Sequence, residues 1–185
     1  MKYAVVATLA LLLNSCGSKT AALPEYGDVP GFQLTAQTGQ PFDSKALNGK
    51  IWVADFIYTT CPGPCPRMTS QMHEVQQAVN KMPDVNLVSF TIDPARDTPP
   101  VLAEYAKLHH ASTAQWYFLT GPQATLQRLD KDAFKLGDID ASLTHSTRFV
   151  LVDRQSHIRG YYETSEQDAI DRLVSDIRSL ARERS

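Results

Sequence analysis

The chain has 185 residues, which is enough for one domain with a full-sized hydrophobic core. Its hydrophobic fraction of 43% and charged fraction of 21% are ordinary for a soluble globular protein. The formal net charge of −2 speaks against a nucleic-acid-binding surface or a basic membrane-binding face.

The first sixteen residues differ in composition from the rest of the chain. A short positive start, Met1-Lys2, precedes an almost wholly apolar run over residues 4–13. That run is too short to span a bilayer as a lasting helix, but it suits the hydrophobic region of a cleaved signal peptide. The closing Leu13-Asn14-Ser15-Cys16 resembles the lipobox of bacterial lipoproteins, in which the cysteine is lipidated and becomes the new N-terminus.

We therefore predict a signal peptide over residues 1–15, a lipidated tether over residues 16–23 and one domain over residues 24–185. Lipid on Cys16 would anchor the protein to a membrane outside the cytoplasm; a signal for soluble secretion with an incidental cysteine is the alternative. Cys61 and Cys65 then remain as an isolated pair where thiols tend to oxidise. A disulfide across so short a loop stabilises a fold weakly, so chemistry explains the pair better than structural bridging.

Hydrophobic periodicity after the tether predicts alternating strands and helices. In chain order these are a hairpin at 32–42, a strand at 51–58, a helix at 66–82, a strand at 85–92, a helix at 99–109, a strand at 115–119, a helix at 122–134, a hairpin formed by 148–152 and 157–161, and a helix at 166–184. Crossover connections make the early strands parallel, and the late hairpin must be antiparallel. The order fits an α/β, thioredoxin-like fold, with a central mixed sheet flanked by helices and an N-terminal β-hairpin.

Two cysteines lie where the first buried strand meets the next helix, in the sequence Cys61-Pro62-Gly63-Pro64-Cys65-Pro66. Pro66 suits the first helical position, which predicts Cys65 as the N-cap. Unpaired N–H groups and the positive end of the helix dipole would then favour a thiolate at Cys65. The pair can close as a disulfide or hold one soft metal ion. Structural zinc and iron–sulfur clusters normally need four ligands, so two sulfurs and one imidazole would best suit three-coordinate Cu(I).

His145 is the candidate for the third ligand, since it comes shortly before the strand that begins at Arg148. The N-terminal end of an antiparallel strand lies at the same sheet edge as the carboxyl ends of parallel strands, where ligands collect. Topology therefore predicts that His145 approaches Cys61. A lone histidine would otherwise be read as a surface or capping residue, and the sequence identifies no partner for His73 or His157.

A second polar stretch, Asp93-Pro94-Ala95-Arg96-Asp97-Thr98-Pro99, follows the next parallel strand at the same predicted edge. Thr98 before Pro99 is typical of a helix N-cap. Asp93 or Asp97 could be a carboxylate behind the metal ligands, orienting the site or meeting a partner. The same residues could equally form a turn held by aspartate and arginine, and both interpretations stay open at this point.

The cysteine pair followed by Pro66, the 93–99 stretch and His145 together resemble the Sco/SenC family over essentially the whole mature chain. The resemblance implies one copper ion, as Cu(I), Cu(II) or both, bound by Cys61, Cys65 and His145. It also implies a role in assembling the copper A centre of cytochrome c oxidase, by delivering copper or by reducing the cysteines of the apo subunit. The expected partner is the subunit that carries copper A, or another extracytoplasmic copper protein.

Two other classes use cysteines on a similar fold. A thiol-disulfide oxidoreductase would use Cys61 and Cys65 without metal, although thioredoxins space their cysteines by two residues and this chain by three. A peroxiredoxin is disfavoured, because Ile57 and Tyr58 occupy the positions where its proline should lie. We therefore expect a metallochaperone rather than an enzyme with a small substrate, with metal-independent thiol chemistry as the alternative.

Overall fold

The structure is a computed structural model that describes residues 22–137 and 146–183. Residues 1–15, Cys16 and His145 lie outside the described residues, so the predicted signal peptide, lipidation site and third metal ligand stay predictions. Among the residues that are described, no helix is both long and apolar enough to cross a bilayer.

The described part of the chain folds into one seven-stranded sheet with helices packed on it. The strands are β1 (Gln33–Ala36), β2 (Pro41–Asp43), β3 (Ile51–Ile57), β4 (Val85–Thr91), β5 (Trp116–Thr120), β6 (Arg148–Val152) and β7 (Ile158–Glu163). The α-helices are α1 (Pro64–Val79), α2 (Pro99–Leu108), α3 (Gln123–Arg128) and α4 (Ala169–Arg182). Across the sheet the strands follow the order β2-β1-β5-β4-β3-β6-β7.

The pairing directions confirm the predicted mixed sheet. β3, β4 and β5 run parallel because helical crossovers join them. β1 and β2 form the expected antiparallel N-terminal hairpin, and β1 also pairs antiparallel with β5. β6 runs antiparallel to β3 and turns back into β7. The start of β6 therefore lies at the edge where β3 ends.

Every residue of β3 and β4 is buried, because both faces of the sheet centre are covered. Successive side chains of β3 point to opposite faces of the sheet, so alternate residues pack into two different hydrophobic clusters. On one face the strand packs with α1, α2 and α4, and on the other with the N-terminal hairpin, α3 and Phe134. The β3 residues that pack against α1, α2 and α4 are Ile51, Val53 and Ile57. Those that pack on the opposite face are Trp52, Ala54 and Phe56.

Several predicted boundaries differ from the structure, most of all at the end of the third helix. The helix predicted at 122–134 is α-helical only as far as Arg128, and Leu129–Ala133 form a π-helical turn. The N–H of Phe134 bonds the carbonyl of Leu129, and this wider turn places the ring among the aromatic rings of Trp52, Phe56 and Phe90. β7 runs on to Glu163 and α4 begins only at Ala169, since Thr164 bonds the carbonyl of Thr147 through both its N–H and its hydroxyl.

Candidate metal centre

The cysteine loop connects the end of β3 to the start of α1. The helix begins at Pro64 with Gly63 as its N-cap, so the predicted N-cap role of Cys65 is wrong. Pro64 suits the first helical position as well as Pro66 does, so the helix begins two residues earlier than predicted. Cys65 is therefore the second helical residue, and its side chain lies in the hydrophobic core.

The two thiols differ in burial and in acidity. Cys65 is fully buried, which raises the pKa of its thiol well above the ordinary value. Cys61 is 8% exposed. Burial also opposes ionisation of Cys61, but hydrogen bonds from the Cys65 thiol and from the backbone N–H groups of Cys65 and Gly63 outweigh it and lower the pKa of Cys61. Cys61 is therefore the thiol that ionises first, and the thiolate predicted at Cys65 is wrong.

This asymmetry predicts which thiol reacts first with an alkylating agent. In the reduced, metal-free protein, iodoacetamide should modify Cys61 at least about tenfold faster than Cys65, because the thiolate is the reactive form and Cys65 is inaccessible. Peptide mass spectrometry after timed quenching measures both rates. Equal rates in the folded protein, or faster modification of Cys65, would contradict the assignment; equal rates in denaturant are the expected control.

Tyr58 contacts both cysteines, although the sequence analysis did not identify it as a site residue. Its hydroxyl donates a hydrogen bond to the Cys61 sulfur and its backbone N–H donates one to Cys65. The backbone N–H of Cys61 in turn bonds the Tyr58 carbonyl at 3.2 Å. Burial raises the pKa of Tyr58, and the hydrogen bond to Cys61 and nearby negative charge at the cysteine pair and on Asp93 raise it further, so Tyr58 remains a donor. Its position three residues before Cys61, at the end of a strand, was the only sequence signal.

Asp97 fastens the cysteine loop to the neighbouring strand. Its carboxylate is fully buried and accepts hydrogen bonds from the Thr59 hydroxyl at 2.5 Å and the Thr59 N–H at 3.2 Å. The hydroxyl of Thr91, at the end of β4, donates a third bond at 2.5 Å. Because Thr59 lies two residues before Cys61, Asp97 fixes the backbone that enters the cysteine pair.

Asp93 makes a different set of contacts. Its carboxylate pairs with the exposed guanidinium of Arg96 at 2.8 Å, and its carbonyl accepts the N–H groups of Arg96 and Asp97. Asp93 thus belongs to a turn held by aspartate and arginine, whereas Asp97 lies behind the cysteine loop. Thr98 is the N-cap of α2, as predicted, although its side chain makes no capping hydrogen bond.

Asp55 is a carboxylate within the core that the sequence analysis left unassigned. It is fully buried in the middle of β3, and among the described residues neither oxygen makes a hydrogen bond of good geometry. Burial raises the pKa of Asp55 from 3.8 to about 7, and the hydroxyl of Ser89, directly opposite on β4, offsets only part of this increase. Its negative charge contributes to the raised pKa of Cys65, so this carboxyl lies close enough to influence the site.

The start of β6 lies beside the loop that carries Cys61 and Cys65. The carbonyl of Thr147 accepts the N–H and hydroxyl of Thr164, and the Thr164 carbonyl accepts the side-chain amide of Gln71 at 3.0 Å. Gln71 lies six residues after Cys65 on α1. These contacts bring Thr147, two residues after His145, to the edge that carries Cys61; the position of the His145 ring itself lies outside the described residues.

Among the described residues, the candidate metal ligands are two adjacent thiols at the edge of the hydrophobic core. The Cys61 thiol ionises more readily, and the Cys65 thiol is shielded from solvent. Such a pair can close as a disulfide, releasing two electrons and two protons, or bind one soft cation. Two thiols are poor ligands for hard cations that prefer oxygen, and the nearby carboxylates of Asp93 and Asp97 are engaged with Arg96, Thr59 and Thr91. The two thiols therefore fit a soft cation such as Cu(I).

Comparison with known proteins places the chain in a family. The model of the SCO1/SenC family matches residues 24–182. A SCO1 protein homolog of Bacillus subtilis is 30% identical over 177 residues, which is 92% of either chain. A putative copper-binding protein of Stutzerimonas stutzeri is 32% identical over 165 residues, covering 84% of this chain and 79% of that one.

Solved structures show the same architecture. A SCO1/SenC family lipoprotein from Bacillus anthracis superposes with a TM-score of 0.78 at 33% identity, covering 84% of this chain and 95% of that one. Copper-bound ScoI of Bradyrhizobium japonicum gives a TM-score of 0.68 at 25% identity, with coverage of 83% and 99%. These likenesses confirm the predicted thioredoxin-like fold and the predicted resemblance. The chain belongs to the SCO1/SenC family.

Proposed function

We propose that this protein is an extracytoplasmic copper chaperone that holds one copper ion with Cys61, Cys65 and His145. Its role is to assemble the copper A centre of cytochrome c oxidase, by delivering copper to the subunit that carries this centre or by reducing that subunit's cysteines. Lipid on Cys16 would keep the domain at the membrane surface where the oxidase is built.

One observation carries this proposal: two adjacent thiols of unequal acidity lie at the sheet edge where β6 begins. Cys61 ionises first and can meet an incoming ion, while Cys65 lies behind it, shielded from solvent. Tyr58 and Asp97 hold the loop that carries Cys61. A thiolate pair with one imidazole supplies the soft, low-coordinate environment that stabilises Cu(I).

The relatives support copper as the ligand. The Bradyrhizobium japonicum protein has been solved with copper bound, and the Stutzerimonas stutzeri relative is a putative copper-binding protein. BsSco, at 29% identity and a TM-score of 0.76, is a member of the Sco family of cytochrome c oxidase assembly proteins with a disulfide switch. That last property favours a site in which the same two cysteines alternate between metal binding and disulfide formation.

The test is a Cu(I) titration of the reduced protein against a competing chelator. We expect one Cu(I) per chain, with two sulfur ligands and one nitrogen ligand in X-ray absorption spectra. Cys61→Ser and Cys65→Ser should remove tight binding. His145→Ala should weaken it at least about tenfold, a loss of about 1.4 kcal/mol or more.

His73→Ala is the matched control, because His73 lies on α1 eight residues after Cys65 and should leave Cu(I) affinity unchanged. Equal losses in the His145 and His73 variants would overturn the assignment of the third ligand. Wild-type protein that binds no Cu(I) would overturn the proposed function.

A thiol-disulfide oxidoreductase is the second candidate function, and the unequal thiols favour it specifically. An ionised Cys61 could attack a substrate disulfide, and Cys65 could then release the reduced substrate by forming the Cys61–Cys65 disulfide. Reduction of a general disulfide substrate by the copper-free protein, at the rate of a thioredoxin, would favour this function over the first.

A further inference from the structure

The segment that leads into the domain is held along β7, on the far side of the sheet from β2. The N–H of Tyr26 bonds the carbonyl of Ile158 at 2.9 Å, and the N–H of Ile158 bonds the carbonyl of Gly27 at 2.7 Å. The N–H of Val29 bonds the carbonyl of Ser156 at 2.9 Å. These three bonds fix the backbone of residues 25–28 directly opposite His157.

Three potential ligands converge at this place. Glu25, Asp28 and His157 each offer one atom, and these atoms all lie within 4.8 Å of one another. The imidazole Nε2 lies 3.5 Å from Asp28 Oδ1, and Nδ1 lies 3.7 Å from Glu25 Oε2. An isolated β-bridge joins Asp28 and His157, so the backbone already brings two of the three side chains together.

A buried carboxylate orients the imidazole ring. Asp153 Oδ2 lies 3.5 Å from His157 Nδ1 and also accepts a 2.8 Å bond from Arg159. Asp153 Oδ1 accepts the backbone N–H groups of Gln155 and His157, both at 2.9 Å. Histidines that bind metals commonly have a carboxylate at the second ring nitrogen, because it fixes the ring and its tautomer. Here the arrangement leaves Nε2 directed towards Asp28.

Charge at this place is out of balance. Arg159 is engaged by Asp153, and within residues 22–137 and 146–183 no lysine or arginine comes within ion-pair distance of Glu25 or Asp28. Their partner there is the His157 side chain. Two carboxylates beside one imidazole concentrate negative charge that a divalent cation would compensate.

We propose that Glu25, Asp28 and His157 bind a divalent cation of the zinc class, and that this ion fastens the entering segment to the β6–β7 turn. One imidazole and two carboxylates suit borderline ions such as Zn²⁺, in contrast to the soft sulfur pair at the opposite end of β6. The ion would join the start of the domain to the sheet directly after the predicted tether. The proposal uses none of the residues of the copper site and stands apart from the proposed function.

The test is a calorimetric titration of Zn²⁺ into the Cys61→Ser/Cys65→Ser protein, in which the thiols cannot compete. We expect one Zn²⁺ whose affinity falls at least about tenfold in His157→Gln and in Asp28→Asn. These side chains are at least partly exposed, so the variants should fold. His73→Gln is the control and should bind as the parent does. Should the double serine variant unfold, oxidised wild-type protein with the cysteines as a disulfide replaces it.

Hydrogen exchange supplies a second readout. Zn²⁺ should slow amide exchange at Tyr26 and Val29, because fastening the segment suppresses its local opening. His157→Gln should abolish that protection. Unchanged Zn²⁺ affinity in both the His157 and Asp28 variants, or exchange that Zn²⁺ does not slow, would overturn the proposal. Either result leaves Cu(I) binding at the cysteines untouched, so the two proposals fail separately.

Discussion

Replacing Asp55 with asparagine should raise the free energy of unfolding at pH 8 by roughly 2–4 kcal/mol, because it removes a charge that the core does not compensate. The folded protein holds the pKa of this carboxyl at about 7, against 3.8 for the ordinary value. Ionising it inside the core therefore costs free energy that the unfolded chain does not incur. Urea unfolding of both proteins at several pH values measures the difference.

The pH dependence of this effect has a definite sign. Between about pH 4 and pH 7 the folded state retains the Asp55 proton and the unfolded state has lost it, so this residue lowers stability as pH rises. The advantage of Asp55→Asn should therefore be absent at pH 4 and complete by pH 8. An advantage of the same size at both pH values would contradict the assignment. Asp132→Asn, at an exposed position after α3, is the control and should change stability by less than about 0.5 kcal/mol at either pH.

Asp97→Ala should destabilise the fold by roughly 3–5 kcal/mol, since it removes a buried acceptor and leaves three donors unpaired. Thr59 would lose both of its bonds to this carboxylate, and the loop that carries Cys61 would loosen. Chemical denaturation measures the loss of stability. The rate of Cys61 alkylation, normalised to that of the unfolded protein, reports the loosening of the loop.

Asp93→Ala is the matched control, at a position four residues earlier in the same turn. Its carboxylate pairs with Arg96, whose side chain is 68% exposed, so the loss should stay at or below about 1 kcal/mol. Cys61 should react as it does in the wild type. Equal effects of the two substitutions would show that the turn as a whole, and not the bonds from Asp97 to Thr59, positions the cysteine loop.

The fold was largely predictable because its core follows the periods of its elements. The apolar run of β3 indicated a strand buried on both faces, and Met68 and Met72 recur at helical spacing and lie in the core as that spacing implies. The convergence of the Cys61 loop with the start of β6 was predictable too, since the ends of neighbouring strands must share a sheet edge. These features depend on local pattern and topology alone.

Other features depend on packing between distant residues, which periodicity does not encode. The acidity of Cys65 was predicted from helix position alone, but the burial of its sulfur follows from how α1 lies on the sheet. Asp55 was one polar residue in an apolar strand, and nothing local indicated that the described residues would leave its oxygens without a hydrogen bond of good geometry. Glu25 and Asp28, which lie beside His157, are more than a hundred positions earlier in the chain, so these two neighbours could not be named from the sequence.

The entering segment also shields β7, which otherwise ends the sheet on that side. By bonding Ile158 and Ser156, residues 26–29 occupy backbone groups that an exposed edge would offer to another molecule. A fragment that began after Val29 would uncover this edge, and uncovered edges favour strand pairing between chains. We therefore expect a soluble fragment that begins after Val29 to self-associate more readily at high concentration than one that keeps this segment, even though both retain Cys61 and Cys65.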